Sequence, residues 1–219
     1  MQRLFFCETP QIRFFTGQVN YLLNVMNREE TSCLASKVES LVGALCKGIL
    51  FGGMASCNER YTPGATRGHH ELTWGVILRF SDKEPLVLTW NENSSFGDPF
   101  FLDYAEAVWF EAIDSLEIQD VTAIPPWETY VGTTLRNCKV LTYETNYSKD
   151  GNGTWRSMPW GVELTFESGS LLIGAMHHGD FMRYKICADE IVIVWDTAII
   201  EKVKVSRAGQ KSEWKNTTV

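Results

Sequence analysis

The feature that most constrains this chain is a near-repeat of itself at an offset of 86 residues. Trp74-Gly75-Val76-Ile77-Leu78-Arg79-Phe80 lies over Trp160-Gly161-Val162-Glu163-Leu164-Thr165-Phe166. Without a gap, Leu86 then falls on Leu172, Asp103 on Asp189, Val108-Trp109 on Val194-Trp195, and Ala112-Ile113 on Ala198-Ile199. Over residues 74–113, 11 of 40 positions are identical. Ordinary composition gives roughly two or three by chance. Gapping three residues carries the match upstream, setting Val42-Gly43-Ala44-Leu45 against Val131-Gly132-Thr133-Thr134-Leu135. The expectation is a duplicated unit, with Pro125-Pro126 at the boundary between its copies.

The pattern inside each copy reads as strands. Val162, Leu164 and Phe166 alternate with Glu163, Thr165 and Glu167, a period of two that buries one face of a strand. Ser168-Gly169 supplies a turn, and Leu171-Leu172-Ile173 begins the return strand of a hairpin. In the first copy Asp82-Lys83-Glu84-Pro85 takes the place of the turn, and Pro85 suits only a strand start or an edge. Ile191 to Trp195 is apolar on both faces and reads as a central strand. Its counterpart, Ala105 to Glu111, has helical propensity, which the repeat overrules in favour of a strand. Lys47 to Met54 and Asn137 to Glu144 add one strand ahead of each hairpin.

The fold class expected is mainly β, a β-rich α+β chain. Two tandem copies of a roughly four-stranded antiparallel unit pack about a pseudo-twofold axis, because a sheet with one apolar face must bury it against something. Residues 1–41 form an N-terminal flank, with a strand near Val19 to Val25 and an amphipathic helix over Glu29 to Ala44 that runs into the first copy. Residues 42–124 and 125–200 are the two β copies, forming one globular unit, and 201–219 is a polar, flexible tail.

Composition narrows the function. The chain has 219 residues, a net charge of −7 and 44% hydrophobic residues, so it can bury a core and is not disordered. Its acidity argues against nucleic-acid binding, which needs local positive charge to neutralise phosphates. No apolar run reaches the ~18 residues of a membrane helix, and no basic segment leads an apolar one as in a secretory signal. A cytoplasmic protein is expected, its six widely spaced cysteines reduced and mostly buried.

All four histidines occur as adjacent pairs, His69-His70 and His177-His178. Each pair flanks a hairpin, so pseudo-twofold packing could bring them together around zinc or a similar metal, with Glu71 or Asp180 adding a carboxylate. Against this, adjacent strand residues point to opposite faces, so each pair readily offers one ligand. No cofactor is otherwise indicated. Nucleophile elbows, phosphate loops and dinucleotide fingerprints are absent, and paired acids such as Glu163 with Glu167 read as a solvated strand face. The recurring Trp74, Trp109, Trp160 and Trp195 read as core, whereas Trp90, Trp127, Trp155 and Trp214 are better placed for an exposed surface. Trp155 and Tyr147, at the two ends of one polar loop, together with Trp90, Asp98 and Asp103, are the candidate partner-binding residues. Between Glu92 and Asp120 lie eight acids and no Lys or Arg, a local negative field that steers a basic partner.

The V-G-x-x-L motif, a loop, W-G-V-x-L-x-F and then D-E-I-V-I-V-W-D resemble small bacterial cytosolic β-proteins, several of the immunity type that neutralise toxic enzymes. The resemblance spans Val42 to Ile113 and Val131 to Ile199 and is one of general style. It implies a non-catalytic, intracellular protein-binding module of the immunity-inhibitor type, and the acidic field makes the expected partner a basic protein. The alternative is an enzyme or a small-ligand or metal-binding protein with a site between the copies, built on the paired histidines.

Overall fold

The alternating segments form strands, and their two apolar faces meet. In a computed structural model, residues 30–54, 61, 68–72, 74–91, 101–105, 116–145, 156–175, 191–207 and 211–212 are described. Helix α1 (Glu30–Glu39) leads into β1 (Cys46–Met54), β2 (His69–Leu72), β3 (Gly75–Phe80), β4 (Leu86–Asn91), β5 (Phe101–Ala105) and β6 (Leu116–Asp120). After a 3-10 turn (Trp127–Thr129) come β7 (Leu135–Thr145), β8 (Arg156–Phe166), β9 (Gly169–Ala175), β10 (Ile191–Val194), helix α2 (Thr197–Arg207) and β11 (Lys211–Ser212). One sheet has the order β5-β4-β3-β1-β6, the other β11-β7-β8-β9-β10-β2. All pairings are antiparallel except β11 with β7. The protein is mainly β.

The period-two faces close on each other to make the core. Ile49, Phe51, Val76, Leu78, Phe80, Leu86 and Leu88 of the first sheet share one buried cluster with Leu135, Val162, Leu164, Phe166, Leu171, Ile173, Ile191 and Ile193 of the second. The Phe80 and Phe166 rings stack across this layer, centroids 6.3 Å apart. Leu34, Val38 and Leu41, spaced for one helix face, enter the same cluster from α1 and the turn beyond it. That helix ends at Glu39, short of the expected Ala44, because Leu41 to Gly43 turns the chain into β1. Gly43 (φ +90°) makes that turn, and Gly132 (φ +79°) makes the matching one before β7.

Around these two glycines the halves interact reciprocally. Gly43 N–H donates to Leu135 O and Gly132 N–H to Cys46 O, both at 2.8 Å. Cys46 N–H donates to Thr133 O and Leu135 N–H to Ala44 O, both at 3.0 Å. The Leu45 N–H donates to Ser81 Oγ, and the Thr134 N–H to Glu167 Oε2. Each strand that follows carries an irregularity, between Cys46 and Gly48 and between Leu135 and Asn137.

The expectation of two equivalent tandem copies is nevertheless not established by this architecture. Among the described residues the sheets differ in strand number, and β2, from the first half, crosses to the edge of the second sheet beside β10. The hairpins differ in register, Leu78 facing Leu86 but Leu164 facing Leu171, so the gap-free alignment slips by one residue there. The tryptophan motifs also diverge. Between Leu141 and Thr142 the register skips Trp160, a bulge that turns its indole to the sheet's other face. Trp74 instead lies just ahead of its strand, half-buried, its carbonyl accepting the Thr89 hydroxyl at 2.6 Å.

That other face of the second sheet is covered by α2, which corrects the expectation of a flexible tail from residue 201. Ile200 and Val203 pack with Leu141, Tyr143, Trp160, Leu172, Val192 and Val194. Burying two such side chains stabilises by about 1.5–3 kcal/mol each, enough to hold a helix with little intrinsic amphipathicity. Asp196 caps it, Oδ1 accepting the N–H groups of Ala198 at 2.8 Å and Ile199 at 3.1 Å. Lys204 bridges Glu201 and Glu163, so Glu163 is a strut between helix and sheet and not part of a solvated acid pair. The bonds from these carboxylates, Glu201 first, raise the Lys204 ammonium above its ordinary value. The expected strands at Val19 to Val25 and beyond Ala105 lie outside the described residues.

Candidate functional site

Strand β2 positions the first histidine pair as alternation requires. His69 sits opposite Val194 and His70 opposite Ile193, and these two belong to the outer and inner clusters respectively. His69 is buried beside Glu71 on the outer face, Nε2 to Oε1 3.4 Å. His70 turns inward and stacks on Phe51, ring centroids 5.3 Å apart. The pair therefore splits between two environments, as adjacent strand positions must. Ala175, the last described residue before His177-His178, faces Ile191, at the opposite end of β10 from His69. Three residues of strand separate those positions, about 10 Å. His177 and His178 themselves lie outside the described residues, and among the described residues no group of three His, Cys, Asp or Glu side chains is placed to hold a metal.

The partner-binding candidates fall unevenly. Trp90 and Asp103 occupy adjacent strands near one edge of the first sheet, Trp90 opposite Leu102 and Asp103 opposite Thr89. Tyr147, Trp155 and Asp98 lie outside the described residues, as do Trp109 and Trp214. Trp127, expected at the surface, is instead fully buried. Its ring meets Trp195 at 4.7 Å, Phe51 at 5.0 Å and Tyr61 at 5.5 Å, all edge-on. With His70, which meets Tyr61 at 5.1 Å, these rings fill one end of the space between the sheets. No spacing in the sequence announces this cluster, because its members come from five separate segments. Among the described residues the Trp127 indole N–H has no hydrogen-bond partner, and the rings around it meet it edge-on.

The cluster is anchored to β6. The Gln119 side-chain amide accepts the Tyr61 N–H at 2.7 Å and donates to the Tyr61 carbonyl at 3.1 Å, as a neighbouring strand would. Tyr61 Oη donates to Pro125 O at 2.9 Å, and burial pushes this phenol above its ordinary value. At the end of β6, bonds from the Thr122 hydroxyl and backbone N–H hold the Asp120 carboxyl below the usual carboxylate range, with Arg79 adding its charge.

Sheet order brings out what the acidic stretch does. From Glu84 to Leu135 the chain carries no Lys or Arg. This segment supplies β4, β5 and β6, and among the described residues β5 and β6 are the two edges of the first sheet. Strand β6 presents Ile118, 38% exposed, and an exposed Asp120. Both lie on the face opposite Phe51, since they pair with Gly52 and Leu50. Sequence reading found the acidic run but not that it forms sheet edges, since strand order is a tertiary property. Among the described residues no helix is long and apolar enough to cross a membrane. No protein-family model matches the chain, and neither a curated protein nor a solved structure is significantly similar to it.

Proposed function

We propose that this protein is a non-catalytic binding module for a basic partner protein, an inhibitor of the immunity kind being the form that suits it. The observation that carries the reading is that, among the described residues, strands from a base-free acidic segment stand at both edges of the first sheet. Exposed strand edges invite pairing with other chains, and acidic side chains there repel acidic strands while attracting basic ones. Such a surface raises the on-rate for a basic partner and leaves binding sensitive to salt.

The test is capture from the native cell extract on immobilised full-length protein at low and high salt, with a Glu117→Lys/Asp120→Lys variant alongside. A basic protein retained at low salt, eluted by salt and lost with the variant supports the reading. Retention that is indifferent to both salt and charge reversal overturns it.

A further inference from the structure

We propose that the outer edge of β6 (Leu116–Asp120) receives an extended basic segment of the partner as an added strand. This rests on the reading above, and it names both the contact and the kind of segment that makes it.

The backbone of β6 is already sorted by its pairing with β1. Val121 N–H donates to Ile49 O at 3.0 Å, and by alternation residues 117 and 119 direct their backbone groups toward β1 as well. In an antiparallel pair the alternate residues face away. Ile118 and Asp120 therefore turn their N–H and C=O groups outward, and these make no hydrogen bond among the described residues. Two donor–acceptor pairs on one strand edge are the fittings that strand addition uses. Gln119, between them, is engaged on the inner face with Tyr61, and among the described residues no strand pairs with the outer edge.

The side chains select the occupant. Ile118 offers an exposed apolar contact two residues from the exposed Asp120 on the same face, and the hydrogen bonds from Thr122 hold the Asp120 carboxyl below the usual carboxylate range. An incoming strand with an apolar residue and, two places along on the same face, a cation sets the first beside Ile118 and the second beside Asp120. An acidic strand meets like charge at the same positions.

Two peptides test the inference on the full-length protein at fixed ionic strength. One is a capped octapeptide that repeats Val-Lys-Lys-Lys, so that Val and Lys alternate along one face, the other the same peptide with every backbone nitrogen methylated. The unmodified peptide is expected to bind about tenfold more tightly than the methylated one, the equivalent of one or two lost hydrogen bonds. It should also slow hydrogen exchange at the Ile118 and Asp120 amides, while those of Glu117 and Gln119 are protected with or without it. Ile118→Pro, which removes only an outward N–H, is expected to weaken the unmodified peptide by a similar factor. The wild-type comparison of the two peptides stands even if that variant fails to fold. Equal binding of both peptides, or protection at amides elsewhere, overturns strand addition while leaving the acidic-surface reading in place. Binding of neither peptide at low salt overturns both.

Discussion

Replacing Phe80 and Phe166 with leucine, singly and together, tests how the two sheets meet. The side chains come from opposite sheets, are 6% and 3% exposed, and stack at 6.3 Å with an interplanar angle of 6°. Each change removes on the order of 20 Å³, which at ~24 cal/mol per Å³ of cavity costs about 0.5 kcal/mol. Loss of an aromatic pair adds about 0.5–1.5 kcal/mol, and a separation toward the far end of the favourable range puts this contact near the lower value. Phe80→Leu is therefore expected to lose about 1 kcal/mol. Phe166 also meets Tyr130 edge-on at 5.5 Å, so Phe166→Leu loses a second ring contact and about 1.5 kcal/mol in all. The double variant forfeits the shared stack once, so its loss falls about 0.5 kcal/mol short of the sum. Urea unfolding with a common m-value reads these differences, and thermal midpoints should fall by about 2–4 °C per kcal/mol. Strict additivity refutes contact across the layer. A larger cost at Phe80 than at Phe166 refutes the part assigned to Tyr130.

Three further outcomes are expected. Asp196→Ala removes the cap of α2 and should cost about 1 kcal/mol, seen as faster hydrogen exchange through Thr197–Arg207; unchanged exchange would contradict the capping geometry. Burial pushes the Cys46 thiol up to about 11, so at pH 8 only about one molecule in a thousand carries the thiolate and alkylation should await unfolding. Mass spectrometry that finds Cys46 modified in the native protein at the rate of a free thiol would refute this. The Thr134 backbone N–H, aided by Arg136, holds Glu167 below the usual carboxylate range. Such a group contributes stability above its ordinary value of about 4.3, lost as pH falls through its depressed folded value. Glu167→Gln should therefore flatten the acid limb of the melting-temperature profile, and an unaltered limb counts against it.

Much of the strand content was legible in the chain because a half-buried strand must alternate. Val162, Leu164 and Phe166 declared an inward face, and Ile191 to Val194, apolar on both sides, proved to be a strand enclosed between β9 and β2. The hairpin turn, expected at Ser168-Gly169, falls one residue earlier at Glu167-Ser168, and the strand start after Pro85 was likewise a local matter. Trp127 was misjudged for the opposite reason. Nothing beside it in the chain says that Phe51, Tyr61 and Trp195 will surround it. The last helix was missed because Glu201, Lys202 and Lys204 look solvated until the sheet beneath Ile200 and Val203 is present.

By itself the amino-acid order determined which segments extend, which faces are apolar and where charge accumulates, since these depend on neighbours a few bonds apart. Only the tertiary structure decided that β2 leaves its own half for the other sheet, that a bulge re-aims Trp160, and that β5 and β6, both from the base-free segment, stand at the edges of the first sheet among the described residues. Strand order is set by burial competed for across the whole molecule, between residues such as Gly52 and Ile118 that lie far apart along the chain and side by side in the sheet. A recognition surface made of an edge exists only once that competition has been resolved.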